Sequence, residues 1–217
     1  MVKTRTYEKR ALLTGVGNLF LEMMETEETP SNAPVYSETV YETPSLDTVN
    51  AAQQITEKDI FLSNEVHDSL VNVQRVDITV DAGYLPVGFA EEAQGMVKIG
   101  GGWSMPRNPK KKPFRMAVPI TDMNGDEIIY NYPKCTLSPV NTNAQTQGEE
   151  INEQLSQFNI RAVAPLFKGE AEKSLVYHKI DLADTENKET YDRDKLLTLG
   201  WYDEPTLVLC QKAIPGG

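Results

Sequence analysis

The side chains with the most reactive chemistry in this sequence are two histidines, His67 and His178, and two cysteines, Cys135 and Cys210. None has a second Cys or His at the short spacing by which zinc sites are built, so no metal centre is expected. Neither cysteine sits in a nucleophile signature, and no serine stands in a Gly-x-Ser-x-Gly elbow. Gly100-Gly101-Gly102 resembles a phosphate cradle only in glycine count, because no Lys-Ser or Lys-Thr pair and no helical pattern follow it. Acidic residues are plentiful, but a catalytic carboxylate pair is defined by its separation in space, which spacing in sequence does not carry. The reading is of a chain with no catalytic site and no cofactor.

Charge patterning is the more informative chemistry. Asp77, Thr79 and Asp81 alternate with Val76, Ile78 and Val80, which gives a strand with one apolar and one acidic or polar face. Such a face is ordinarily the solvated side of a sheet. Its sharper reading is a wall facing something negatively charged that must pass without sticking. Lys110-Lys111-Lys112 lies in a proline-bounded basic loop, and Glu25, Glu27 and Glu28 belong to an acidic run that begins at Glu22. Placed on distant surfaces of one protomer, these two loops would suit head-to-tail stacking of copies.

The elements that must position these residues are short strands. Val71 and Val73 sit on the opposite parity from Val76, so Gln74-Arg75 is expected to be a β-bulge that resets the alternation. Asp81-Ala82-Gly83 reads as a turn, followed by a short helix from Pro86 through Phe89, Ala90 and Ala93, closed by a left-handed Gly95. Upstream, a first strand is expected over Thr14–Met24, centred on Val16–Leu21, its glycines marking a close approach or bulge, with an acidic loop after it. Residues 29–44 show no period and read as loop; further strands are expected at 45–52 and 60–62. Asp122-Met123-Asn124-Gly125 joins strands 114–120 and 127–137 as a hairpin. Strands are also expected at 151–164, 174–180 and 206–210, and a helical turn at 191–199. About eight short strands with turn chemistry between them predict a mainly β chain, a sandwich or barrel with a short flanking helix, long loops and terminal arms. Residues 1–13 form an N-terminal arm, 14–181 the β domain, and 182–217 a C-terminal extension packing on that domain or on a neighbouring protomer.

The composition bounds the function. With 217 residues and 40% hydrophobic side chains, a core is within reach. The 32 acidic against 21 basic residues give a net charge of -11, which argues against stable binding to phosphate backbones. Two distant cysteines and no leader pattern suggest reduced thiols in a soluble, cytoplasmically made protein. No apolar run approaches the ~20 residues of a membrane-spanning helix, so no membrane binding is expected.

The order of features resembles the major tail proteins, or tail tube proteins, of long-tailed phages of Gram-positive bacteria. The resemblance rests on the Gly15–Leu21 strand, Tyr41-Glu42-Thr43-Pro44, the strand-to-helix unit ending at Gly95, the central hairpin Phe114–Leu137, and Thr146-Gln147-Gly148-Glu149 leading to Ile160, Ala162 and Ala164. It covers roughly residues 15–165; the basic loop is longer than the family pattern, and residues after 174 match nothing in it. The resemblance implies a tail-tube fold, hexameric rings of the chain stacked into a hollow tube, and a virion location after assembly in the host cytoplasm. Its partners would be further copies, a tape-measure protein, a tail-tip initiator and a tail terminator, with double-stranded DNA passing transiently through the lumen. On that reading Asp77 and Asp81 would face the lumen, and Lys110, Lys111 and Lys112 would meet Glu25, Glu27 and Glu28 between rings. The alternative is a monomeric carbohydrate-binding β-sandwich, for which Trp103, Tyr130, Tyr132 and Trp201 are the sugar-stacking candidates.

Overall fold

The computed structural model describes residues 10–62, 65–140, 155–169 and 174–213, with the side chains of 61, 62 and 65–67 left out. The elements follow in chain order as β1 (Leu13–Val16), β2 (Leu19–Thr26), β3 (Val35–Thr43), β4 (Leu46–Leu62), β5 (Glu65–Ala82) and α1 (Phe89–Ala93). Then come β6 (Val97–Ile99), β7 (Gly102–Ser104), β8 (Phe114–Asp122), β9 (Glu127–Leu137), β10 (Ser156–Ala162) and β11 (His178–Asp181). Three short helices close the chain: α2 (Thr185–Thr190), α3 (Arg193–Thr198) and α4 (Glu204–Val208). The protein is mainly β, as its turn-punctuated alternation predicts.

One antiparallel sheet runs in the order β3-β2-β8-β9-β10-β5-β4, with β1 added to β8 and β11 added to β9. It curls so that its two halves enclose one core. Leu19, Leu21 and Met23 of β2, Phe114, Met116 and Val118 of β8, and Tyr132 of β9 pack against Val76, Ile78 and Val80 of β5 and Phe158 and Ile160 of β10. Because strand parity is two, the intervening residues of β2, β8 and β9 point the other way. Phe20, Ala117 and Ile129 form a second core under Leu196, Leu197, Trp201, Leu207 and Cys210 of the C-terminal helices. β2, β8 and β9 are therefore buried on both faces, while β10, β5 and β4 keep one face in water.

Several expectations hold. The register of β4 on β5 shifts between Gln54 and Ile55, leaving Gln74 as the extra residue beside Arg75. Gly95 closes α1 at φ 78°, and any Cβ there would run into the backbone of Lys110. Gly125 turns the β8–β9 hairpin at φ 83°. The glycines near residue 16 mark a close approach, since a Cβ on Gly17 would lie 2.8 Å from Pro119 Cγ. That approach splits the expected first strand in two: Pro119 has no N–H to give the ladder, and the chain breaks at Gly17-Asn18 opposite it.

Other expectations are corrected. Residues 35–43 of the aperiodic stretch form β3, whose pairing with β2 carries two register shifts that scramble the period. The short strands at 45–52 and 60–62 are parts of the single 17-residue β4. Ala82 is the last residue of β5 and not part of the turn. The acidic loop does not begin at Glu22, which is buried within β2. Residues 206–210 are not a strand: Asp203 and Thr206 make a reciprocal capping box, with Pro205 in the first turn, and nucleate α4. The strand expected at 174–180 is confined to β11, the helical turn at 191–199 is α3, and α2 was without a signal. Of the strand expected at 151–164, β10 lies in 156–162, and residues 151–154 fall outside the described structure, as do Thr146–Glu149 and residues 1–9.

Candidate assembly surfaces

The solvent face of β10, β5 and β4 is built by strand parity and by register. Asp81 lies between Thr48 and Gln157, Thr79 between Asn50 and Asn159, and Asp77 between Ala52 and Arg161. Both aspartates stand where alternation places them, on one open face. The face is not an acidic wall, however. Arg75 Nε donates to Asp77 Oδ1 at 3.0 Å, and Arg161 Nε lies 3.6 Å from the same oxygen. Thr48 Oγ1 and Gln157 Nε2 donate to Asp81 at 2.8 and 3.2 Å. Two carboxylates are thus offset by two guanidinium groups on a surface otherwise made of hydroxyls and amides.

From this face the β4–β5 hairpin runs on beyond the core. β10 accompanies β5 only from Val76 to Ala82. From Arg75 back to Ser69, β5 has β4 as its single partner. Every β4 residue from Ala51 to Asp59 is exposed, as are Ser69, Leu70 and Val71. At ~3.3 Å per residue the unsupported stretch extends some tens of ångströms. A two-stranded ribbon is at best marginally stable in water, and this one also exposes Ile55, Leu70 and Val71. Its free edges and apolar groups are features that a partner would cover.

The two charged loops occupy different places from those expected. Glu25 and Glu27 line one cleft together with Lys110, Lys111 and Lys112, so the opposite charges are neighbours on one surface and not at distant ends of the protomer. Lys112 Nζ pairs with Glu92 at 2.6 Å. Glu28 is buried; its Oε1 accepts from Lys134 Nζ at 2.6 Å and from the Leu166 amide at 3.0 Å. An interior Glu28 has no free surface to offer a neighbouring ring.

The buried polar residues that the sequence did not reveal fasten the C-terminal helices to the sheet. Arg115 on β8 is buried and donates from Nε to Asn131 Oδ1 at 2.7 Å, from Nη1 to Glu22 Oε2 at 3.2 Å, and to the Leu197 and Leu196 carbonyls at 3.1 and 2.7 Å. Those carbonyls are at the C-terminal end of α3, where a cation is favourable. Asn131 Nδ2 continues the chain to the Trp201 carbonyl at 2.9 Å. Burial pushes the Glu22 carboxyl up, against the opposing pull of Arg115, and pushes the Arg115 guanidinium down. Nothing but an Arg flanked by apolar strand residues marks this lock in the sequence.

The candidate sugar-stacking rings do not share one surface. Trp201 is buried with its Nε1 donating to the Leu196 carbonyl, and Tyr132 is in the main core. Tyr130, Tyr132 and Tyr177 instead line a cleft of about 270 Å³ at the open end of the core, beneath Val49, Ala51 and Val76. Trp103 stands apart, over Gly88.

Among the described residues no group of three His, Cys, Asp or Glu is arranged to hold a metal ion. Cys135 and Cys210 are free, buried thiols in separate cores, both pushed up by burial, Cys210 to about 11. His178 lies edge-on to the Trp201 ring with centroids 5.1 Å apart, and burial pushes its imidazole down. The unfolded chain therefore binds more protons just below pH 6.5 than the folded one, and stability falls as pH drops through that window. In His178→Phe the ring contact stays and the titration goes, so thermal melts between pH ~7 and ~5.5 should show a smaller loss of Tm than wild type. Equal losses in both proteins would remove His178 from that account. No helix among the described residues is long and apolar enough to cross a membrane.

Compared with known proteins, the chain matches no family model and no curated protein sequence.

Proposed function

We propose that this chain is a structural, self-assembling protein with no catalytic role, the subunit of a hollow phage tail tube built from stacked hexameric rings. The observation that carries the reading is the β4–β5 hairpin, which leaves its own core with both edges and both faces open. A monomeric binding module has no use for a ribbon of this length, whereas a subunit that completes its sheets on neighbouring copies does. The order of motifs that resembles tail tube proteins agrees with it, and the curled sheet with a short helix at one end is compatible with a tail-tube fold. In the virion its partners would be further copies of itself, a tape-measure protein, an initiator and a terminator.

On this reading the face carrying Asp77 and Asp81 lines the bore, and its charge balance alters how DNA would pass. Arg75 and Arg161 are held against Asp77, so those two guanidinium groups are not free for phosphate. Lys58 lies on the same face farther out along the hairpin, and the net charge of -11 supplies general repulsion. Duplex DNA would slide past hydroxyls and amides. Electron microscopy of the purified protein over a concentration series, with light scattering, tests the proposal. Hollow tubes or rings of uniform width are expected; a monodisperse monomer at the highest concentration, with micromolar affinity for an oligosaccharide, would replace it with the binding-module reading.

A further inference from the structure

The inner face of the projecting hairpin continues the core into solvent. The bulge at Gln74 returns Val73 and Val71 to the same side as Val76, Ile78 and Val80, opposite Ile55 and Glu57 on β4, with Asp59 and Ser69 next along. This stripe is thus apolar near the domain and acidic farther out. Ile55 is 50% and Val71 60% exposed, and Lys58 falls on the opposite face by parity. Toward the domain the stripe runs into the cleft of Tyr130, Tyr132 and Tyr177.

A second exposed ribbon has the complementary character. In the β6–β7 hairpin, Val97 and Ile99 share one face and are 51% and 66% exposed, while Lys98 and Trp103 share the other. Met105, 47% exposed, leads into the exposed cations Arg107, Lys110 and Lys111. No ion pair joins Lys110 or Lys111 to the glutamates beside them among the described residues. The chain reaches this ribbon through α1 after leaving β5 at Ala82, and Val73 lies nine strand positions back, roughly 30 Å from Ala82. Among the described residues β6 and β7 make no extended contact with β4 or β5, so within one copy the two patches stay apart.

We propose that the acidic, apolar stripe of one copy receives the basic, apolar β6–β7 hairpin of a second copy, in a head-to-tail contact. Val97 and Ile99 cover Ile55, Val71 and Val73, and Arg107, Lys110 and Lys111 approach Glu57 and Asp59. The contact uses two different patches, so it is heterologous and propagates from copy to copy. Charge of opposite sign selects the pairing and opposes stripe-to-stripe association. The inference rests on the proposed self-assembly and names one of its contacts.

Disulfide trapping tests it. Val71→Cys and Ile99→Cys are made in separate chains; both native cysteines are fully buried and do not compete. Under mild oxidation, covalent dimers are expected from the mixture and not from either variant alone. Dimers from Val71→Cys alone would overturn the heterologous contact. In the same assay Glu57→Lys with Asp59→Lys should abolish the dimer, and Lys110→Glu with Lys111→Glu in the other chain should restore it. Micrographs of the same samples separate the two proposals. Tubes without mixed dimers overturn this contact and leave the tube standing; mixed dimers without tubes or rings support the contact and overturn the tube. Neither product overturns both.

Discussion

Replacing Arg115 by methionine is expected to destabilise the fold by about 3–5 kcal/mol, the usual cost of removing one partner of a buried ion pair. The guanidinium has no solvent contact to lose; what it leaves behind decides the effect. Glu22 would remain 5% exposed without its cation, and the Leu196 and Leu197 carbonyls and the Asn131 amide would lose donors. The Glu22 carboxyl, already pushed up in the native protein, moves further up when Arg115 is gone. The folded variant then holds a proton that the unfolded chain releases above its ordinary value near 4.5. Stability of Arg115→Met therefore falls as pH rises through and above that value, and the penalty in urea unfolding is larger at pH ~8 than at pH ~5. Adding Glu22→Gln should recover part of the loss at the higher pH. A cost below about 1 kcal/mol at both pH values would mean that the pair is not a buried charge. Limited proteolysis offers a second readout, because the C-terminal helices should be clipped before the sheet.

The second large effect is on assembly. Joining Thr56 to Asn72, which face each other across the hairpin, by an Asn-Gly turn in place of residues 57–71 removes the distal ribbon and keeps the register of what remains. None of the deleted positions whose side chains are described belongs to either hydrophobic core. The shortened chain should melt within a few degrees of wild type, since surface changes away from a core usually cost no more than ~0.5 kcal/mol. Its self-assembly should be lost outright. Tubes of normal width from the truncated protein would show that copies meet elsewhere, whereas a fall in stability of several kcal/mol would show that the ribbon is part of the fold.

The local alternation of the sequence determined much of this protein. Val76, Ile78 and Val80 against Asp77, Thr79 and Asp81 specified a strand, its buried face and its wet face. The slip in parity at Gln74-Arg75 specified the bulge, and Gly95 and Asn124-Gly125 specified a helix stop and a hairpin. Each is a statement about neighbours in the chain, where two-residue periodicity and positive φ are readable directly. The same logic failed wherever the environment departs from one dry and one wet face. Residues 53–59 of β4 are exposed on both faces, so nothing in their composition announced that the strands expected at 45–52 and 60–62 are one. β3 pairs through two irregular steps, and its period vanished with them. Glu22 read as the start of an acidic loop and Arg115 carried no signal of its own, because a buried ion pair differs from a solvated one only in what folds over it. Only the tertiary structure decided that Arg75 and Arg161 offset the acidic face, and that Glu25 and Glu27 lie beside the lysines. It also placed Trp201 in a core. These are distances between residues far apart in the chain, and sign and spacing along a sequence carry no record of them.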